Sequence, residues 1–143
     1  MLIGISPALS PELLATLCRM GHGDEIILGD AHFPGHSLGP PVLRADGLNI
    51  TTLLDGILPL FALDTYVEAP LFMMDAVPGD SLDPAVEGSY RTVVQRHWPD
   101  TPPVRLVERF AFYEQAKSAF CVVMTGDTNK YGNLILKKGV TPV

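Results

Sequence analysis

Apolar residues recur along this chain with two different periods, and the switches between them mark out alternating helices and strands. Ser10-Pro11-Glu12 predicts a helix start. A serine there caps free backbone N–H groups, a proline suits the first helical position, and an acid faces the positive end of the dipole. Leu13, Leu14, Leu17 and Met20 follow at helical spacing, and Gly21 stands where a left-handed residue commonly ends a helix. A short strand is expected over 25–28. A loop rich in Gly and Pro runs from Pro34 to Pro41, and an edge strand is expected over 42–46. Thr51 or Thr52 opens a second helix carrying Leu53, Leu54, Ile57 and Leu58, with Pro59 at its end or a kink. The run 71–77 reads as a buried strand. Asp83-Pro84 caps a third helix whose inner face is Val86, Tyr90, Val93 and Val94. A short strand over 104–107, a helix over 112–119 and two strands, 120–125 and 134–136, joined by a turn around Gly126, complete the chain. This order predicts a single α/β domain spanning 1–143 with a mostly parallel sheet, in which the last two strands pair differently from the rest.

Composition narrows the function classes. The 143 residues are 47% apolar, which suggests that copies of the chain cover part of one another's surface. The formal charge of −6, with Lys137-Lys138 as the sole adjacent basic pair, argues against nucleic acid as a partner. Cys18 and Cys121 each lie in an apolar segment without a nearby cysteine, and read as buried thiols of a reducing compartment. No apolar run approaches the length of a membrane span, and Pro7 and Pro11 interrupt the start where a signal peptide would be apolar. A cytoplasmic protein is expected.

The residues able to carry chemistry fall in loops. Gly21-His22-Gly23 leaves an imidazole accessible between two residues without side chains, and Asp30 follows the next strand. Each has a plainer account, His22 as a helix-end residue and Asp30 as a turn former. His32 and His36 lie four apart, but Pro34 and Gly35 between them oppose a helix, and no second metal-binding pattern is present. Arg109 stands between Glu108 and the aromatic residues Phe110, Phe112 and Tyr113, suited either to a surface ion pair or to a guanidinium forked onto sugar hydroxyls. Tyr131 and Asn133 flank Gly132 in a turn. Glycine-rich nucleotide loops and the serine-hydrolase elbow are lacking.

Several segments, in order, extend this reading: Met20-Gly-His-Gly-Asp-Glu-Ile-Ile27, Asp30-Ala-His-Phe-Pro34, Arg44-Ala-Asp-Gly47, Arg109-Phe-Ala-Phe-Tyr-Glu114 and Tyr131-Gly-Asn133, the last followed by Leu-Lys-Lys-Gly139. Over essentially the whole chain they resemble the L-fucose mutarotase family, the sister of the ribose pyranase proteins. The ribose branch carries Gly-His-Thr-Asp, Asp-Ala-Gly-Leu-Pro and Tyr-Ala-Asn at the equivalent places. Gly23, His32-Phe33 and Gly132 here favour the fucose branch. The resemblance implies a three-layer α/β/α sandwich on a six-stranded sheet, with no metal or organic cofactor. It also implies a homo-oligomeric ring, decameric in bacterial relatives, with sites near subunit contacts. It assigns His22 as proton donor and Asp30, Arg109, Tyr131, Gly132 and Asn133 to the sugar.

Anomer exchange of a pyranose requires a proton delivered to the ring oxygen and one removed from the anomeric hydroxyl, then the reverse on the other carbonyl face. A histidine suits the first transfer. Asp30, Tyr131 and water are all open as the second partner. Phe33, Phe112, Tyr113 and Tyr66 are candidates for a wall against the methyl group of a 6-deoxy sugar. Three other activities compete: pyranose–furanose exchange of ribose, a non-catalytic monosaccharide-binding module, and a metal-dependent isomerase using His22, His32 and His36.

Overall fold

The computed structural model describes residues 1–143. Its strands are β1 (Glu25–Gly29), β2 (Val42–Ala45), β3 (Leu71–Met74), β4 (Arg105–Val107), β5 (Cys121–Thr125) and β6 (Leu134–Lys137). The helices are α1 (Pro11–Arg19), α2 (Ile50–Ile57), α3 (Pro84–His97) and α4 (Arg109–Lys117), with short 3₁₀ turns at Gly35–Ser37 and Leu58–Leu60. One six-stranded sheet has the order β2-β5-β1-β6-β3-β4. The pairs β2–β5, β1–β5 and β3–β4 are parallel, and β6 runs antiparallel to both β1 and β3. All strands but β6 therefore point the same way, and their carboxyl ends share one edge.

Strand side chains alternate between two cores, as a period of two requires. Ile26, Leu28, Cys121, Val123, Leu134, Leu136, Leu71 and Met73 face α1, α2 and α3. Ile27, Val122, Met124, Ile135, Phe72 and Met74 face the other way, onto Phe112 and Ala116 of α4 and onto Phe33. This is the expected three-layer arrangement. His97 Nε2 lies 2.8 Å from Asp55 Oδ1 and ties α3 to α2, and the Trp98 indole donates to the Leu58 carbonyl at 3.0 Å.

The caps explain the helix boundaries. Ser10 Oγ accepts from the Leu13 N–H at 3.1 Å, and Asp83 Oδ1 from the Ala85 N–H at 2.9 Å, as expected. The second helix starts earlier than Thr51, because Asn49 caps it by accepting from the Thr52 N–H at 2.9 Å. Buried Asp127, remote in sequence, accepts from the Ile50 N–H at 3.1 Å. The fourth helix also starts earlier, at Arg109, because the Glu108 carboxylate accepts from the N–H groups of Phe110 and Ala111, both at 3.0 Å.

Four expectations need correction. The last two strands are not partners: β6 passes β5 by and inserts between β1 and β3. The third strand stops at Met74, before the loop that begins at Asp75. The end of α1 is not a left-handed Gly21: Met20 caps it in an extended conformation, and the left-handed glycine is Gly23, at φ 87°. Of the two thiols, Cys121 is buried, which pushes its pKa up to about 11, but Cys18 is exposed on α1.

Two glycine substitutions have opposite expected signs. Gly88 lies inside α3 with open space where a Cβ would stand, so Gly88→Ala should raise stability by about 0.5–1 kcal/mol. A Cβ on Gly126 would fall 2.0 Å from the Asp46 carbonyl oxygen, so Gly126→Ala must displace backbone and should lower stability. Denaturant melts of both variants against the parent measure the two effects.

Candidate functional site

At the carboxyl edge of the sheet, the loops after β1, β3 and β4 and the turn before β6 enclose a cleft of about 270 Å³. Asp30, Arg109, Tyr131 and Asn133 all line it, together with His32, Phe33, Met74, Val77 and Tyr113. The structure thus brings together four of the side chains singled out in the sequence. Asp30 and Asn133 are buried and locked to each other: the Asp30 N–H donates to Asn133 Oδ1 at 2.8 Å. Asp30 Oδ1 accepts from the His32 N–H at 2.9 Å. Burial raises the Asp30 pKa, outweighing the backbone N–H groups of His32, Gly132 and Phe33 and the nearby His32 ring. Asp30 is therefore a partly desolvated carboxylate, a better base than a solvated one.

Gly132 sits beneath this arrangement. Its N–H donates to the Asn129 carbonyl at 3.1 Å and its own carbonyl accepts from the Tyr90 hydroxyl at 2.6 Å. A Cβ there would come within 2.8 Å of the Asn129 oxygen, so the turn requires a glycine. Phe33 and Tyr113 stack with ring centroids 6.2 Å apart and form the aromatic wall, and fully buried Phe112 packs edge-on beneath Phe33. The Arg109 guanidinium rests over the Phe110 ring, 5.4 Å from its centroid.

His22 is elsewhere. It precedes β1, whereas Asp30 follows it, and the strand between them is about 13 Å long at ~3.3 Å per residue. Within one chain the two residues occupy opposite edges of the sheet, contrary to the expectation that both lie beyond strand carboxyl ends. Half-exposed His22 has its own partner: Nε2 lies 3.1 Å from Oδ1 of Asp64, whose side chain is 3% exposed. Tyr66, 78% exposed, packs its ring 5.3 Å from the imidazole, and so belongs to this edge and not to the cleft wall.

Asp64 was not singled out in the sequence. The available signal was an acid immediately after the apolar run Leu58–Leu63, where a carboxylate is carried under a sheet edge. Burial opposes its charge, but the Tyr66 N–H, 3.0 Å from Oδ1, and the His22 ring prevail and hold its pKa below the usual carboxylate value. An ionised carboxylate only accepts, so His22 Nε2 carries the hydrogen and Nδ1 is the free nitrogen. Neutral His22 then offers a base at Nδ1, and imidazolium an acid at the same atom.

The extension of β6 joins the two partners. The Gly23 N–H donates to the Lys138 carbonyl at 2.8 Å, the Lys138 N–H to the Asp24 carbonyl at 2.9 Å and the Asp64 N–H to the Lys137 carbonyl at 3.1 Å. The Lys138 ammonium donates to the Leu17 and Met20 carbonyls at the end of α1, at 3.0 and 2.6 Å.

The three histidines of the metal reading do not converge in one chain. His22 is at the far edge, His32 is in the cleft, and His36 Nε2 lies 3.3 Å from Nη1 of Arg44.

Comparison with known proteins places these sites in a family. Residues 3–141 match the model of the RbsD / FucU transport protein family. The chain belongs to this family. An L-fucose mutarotase of Actinobacillus pleuropneumoniae serotype 5b is 61% identical over 143 residues, covering 100% of this chain and 99% of the relative. The crystal structure of the Streptococcus pneumoniae fucose mutarotase in complex with L-fucose superposes with a TM-score of 0.93 at 44% identity, over 99% of this chain and 100% of that one. Bacillus subtilis RbsD complexed with D-ribose matches with a TM-score of 0.70 at 17% identity, over 99% and 100%, a likeness of fold. The ordering agrees with the residues that set this chain apart from the ribose branch.

The Asp64 pair has a pH signature. A carboxylate whose folded pKa is depressed stabilises the fold above its unfolded pKa, and that contribution is lost as pH falls through the folded value. Wild-type stability should therefore decline as pH drops below about 4. Asp64→Asn should flatten that acid limb, as read from chemical denaturation at a series of pH values.

Proposed function

We propose that this chain is an L-fucose mutarotase, interconverting the α and β anomers of L-fucopyranose by acid–base ring opening and closure. The observation that carries the reading is the cleft. Buried Asp30 and Asn133, with Arg109 and Tyr131, present acceptors and donors for hydroxyls beside an apolar wall of Phe33, Met74, Val77 and Tyr113 suited to a deoxy methyl group. The full-length identity to L-fucose mutarotases supports the choice of sugar.

In this reading Asp30, Arg109, Tyr131, Gly132 and Asn133 hold the sugar. His22 Nδ1 delivers a proton to the ring oxygen while Asp64 stabilises the imidazolium. Asp30, made more basic by burial, takes the anomeric hydroxyl proton. Rotation about the C1–C2 bond of the open aldehyde and reversal of both transfers gives the other anomer. The exchange consumes no electron pair and releases no group, so two positioned proton carriers suffice.

In this reading a second copy bridges the separation of His22 from the cleft. We propose a homo-oligomer in which the amino edge of one sheet meets the cleft of the next, so that each site takes its His22 from a neighbour. Such a head-to-tail contact gives a ring when the rotation between copies closes, and a decameric ring is the assembly that the family resemblance implies. Exposed apolar residues, among them Leu2, Ile3, Leu60, Tyr66 and Leu106, supply surface for such contacts. No helix is long and apolar enough to cross a membrane. The exposed thiol of Cys18 fits a reducing cytoplasm.

Saturation-transfer NMR at the anomeric protons tests the activity. L-Fucose exchange should exceed the buffer rate and exceed that of D-ribose, D-galactose and D-glucose. An unaccelerated L-fucose signal would refute the reading. His22→Ala should lower the rate by about 10²–10⁴-fold. Asp30→Asn should fold at least as well as wild type at neutral pH, since it removes a buried charge, yet lose both affinity and rate.

The shared site has a separate test. His22→Ala and Asn133→Ala proteins, each inactive alone, should recover activity when dissociated, mixed and reassembled. Failure of assembled mixtures to recover any activity would place both residues' contributions within one subunit.

A further inference from the structure

Tyr131 is the non-glycine residue held at positive φ, 56°, a conformation that costs an ordinary side chain about 1–2 kcal/mol. The turn closed by the Gly132 N–H on the Asn129 carbonyl puts it there, at the third position, and its hydroxyl is anchored as well. The hydroxyl donates to Asp80 Oδ2 at 2.8 Å and accepts from the Val77 N–H at 3.3 Å. Val77 and Asp80 are the two ends of one turn. The Asp80 N–H donates to the Val77 carbonyl at 3.0 Å, with Pro78 at the second position and Gly79 at φ 87° in the third, the pattern of a type II turn. The carboxylate is itself fixed, since Oδ1 accepts from the Ser81 N–H at 2.8 Å and Oδ2 lies 2.5 Å from the Lys130 ammonium. Lys130, the Ser81 N–H and the Tyr131 hydroxyl, in that order of effect, lower the Asp80 pKa to about 2, so it is ionised at neutral pH.

The clamp has a place in the site. Tyr131 and Lys130 line both the Asp30 cleft and a second, more apolar cavity of about 320 Å³ bounded by Met73, Leu82, Val86 and Leu106. Tyr131 and Lys130 thus form the wall that the two cavities share. Freed from the turn, Tyr131 would no longer define that side of the sugar cleft.

We propose that Asp80 is a positioning residue for sugar binding, acting through the Tyr131 hydroxyl to hold the shared wall in place. The inference rests on the mutarotase reading, because it assigns Asp80 to the affinity of that cleft. Asp80 does not itself line the cleft, so its effect there runs through Tyr131.

The test is a double-mutant cycle on saturation-transfer kinetics for L-fucose, with Asp80→Ala, Tyr131→Phe and the pair. Asp80→Ala should raise KM about tenfold, the loss expected of one charge-assisted hydrogen bond, with kcat changed far less. In the Tyr131→Phe background the same substitution should add little, since the hydroxyl it acts on is gone. Asp80→Asn keeps an oxygen acceptor and should recover most of the affinity, which also guards against misfolding of the alanine variant. A purely structural role would instead lower the active fraction, and with it kcat, at unchanged KM. An Asp80→Ala effect that adds fully to Tyr131→Phe, or a KM unaffected by Asp80→Ala, would overturn the role of Asp80. Absence of exchange in the wild type would instead overturn the mutarotase reading.

Discussion

The antiparallel seating of β6 between β1 and β3 is the constraint on which the rest depends. Its register pairs Ile26 with Leu136 and Leu28 with Leu134 on one side, and Leu71 with Leu136 and Met73 with Leu134 on the other. A slip of one residue would turn Leu134 and Leu136 out of one core and Ile135 out of the other, so packing on both faces fixes the pairing. Once it is fixed, both ends of the strand are aimed. The residue before it, Asn133, meets the Asp30 N–H, and its last residue, Lys137, with Lys138 after it, pins the His22 turn to the Asp64 segment. One strand running opposite to the other five thus carries polar groups to both edges of the sheet.

That geometry accounts for the division of labour in the proposed mechanism. The carboxyl edge holds a carboxylate made basic by burial, and the amino edge holds an imidazole whose Nε2 is committed to an ionised aspartate. If the two faced each other within one chain, the imidazolium and the Asp30 carboxylate would neutralise each other directly, without sugar between them. Placed on opposite edges, they come together in the proposed mechanism only where two copies meet, with the substrate between them. Head-to-tail contact is the kind that brings unlike edges together, and a closed ring leaves no edge unpaired.

Much of the fold was legible because its signals are local. Ser10 and Asp83 mark helix starts by the side-chain oxygen they offer, and the nearly unbroken apolar runs in 25–28, 71–74 and 121–125 mark strands buried on both faces. Two of the differences come from distance along the chain. Asn49 caps α2 locally, but the Ile50 N–H that begins it is satisfied by Asp127 from 77 residues away. The partners of β6 are chosen by which core its side chains complete, and a turn near Gly126 carries no trace of that choice. The cleft residues were found through family motifs, since Arg109 and Asn133 each have an ordinary local explanation. Asp64 and Asp80 escaped because each reads as a surface acid, and their importance lies in what they hold: an imidazole 42 residues away and a phenol 51 residues away.

Those two aspartates do related work under different solvation. Asp64 is buried and keeps its charge because the Tyr66 N–H and His22 compensate the loss of water. Asp80 is near the surface and keeps its charge without that difficulty, with a lysine beside it. The contrast follows the task. A carboxylate that must orient an imidazole and stabilise its positive form is more effective where the dielectric is low. One that must only fix the position of a phenol gains little from burial and would bear its cost. Solvation at each edge therefore follows whether a proton or only a position has to be controlled there.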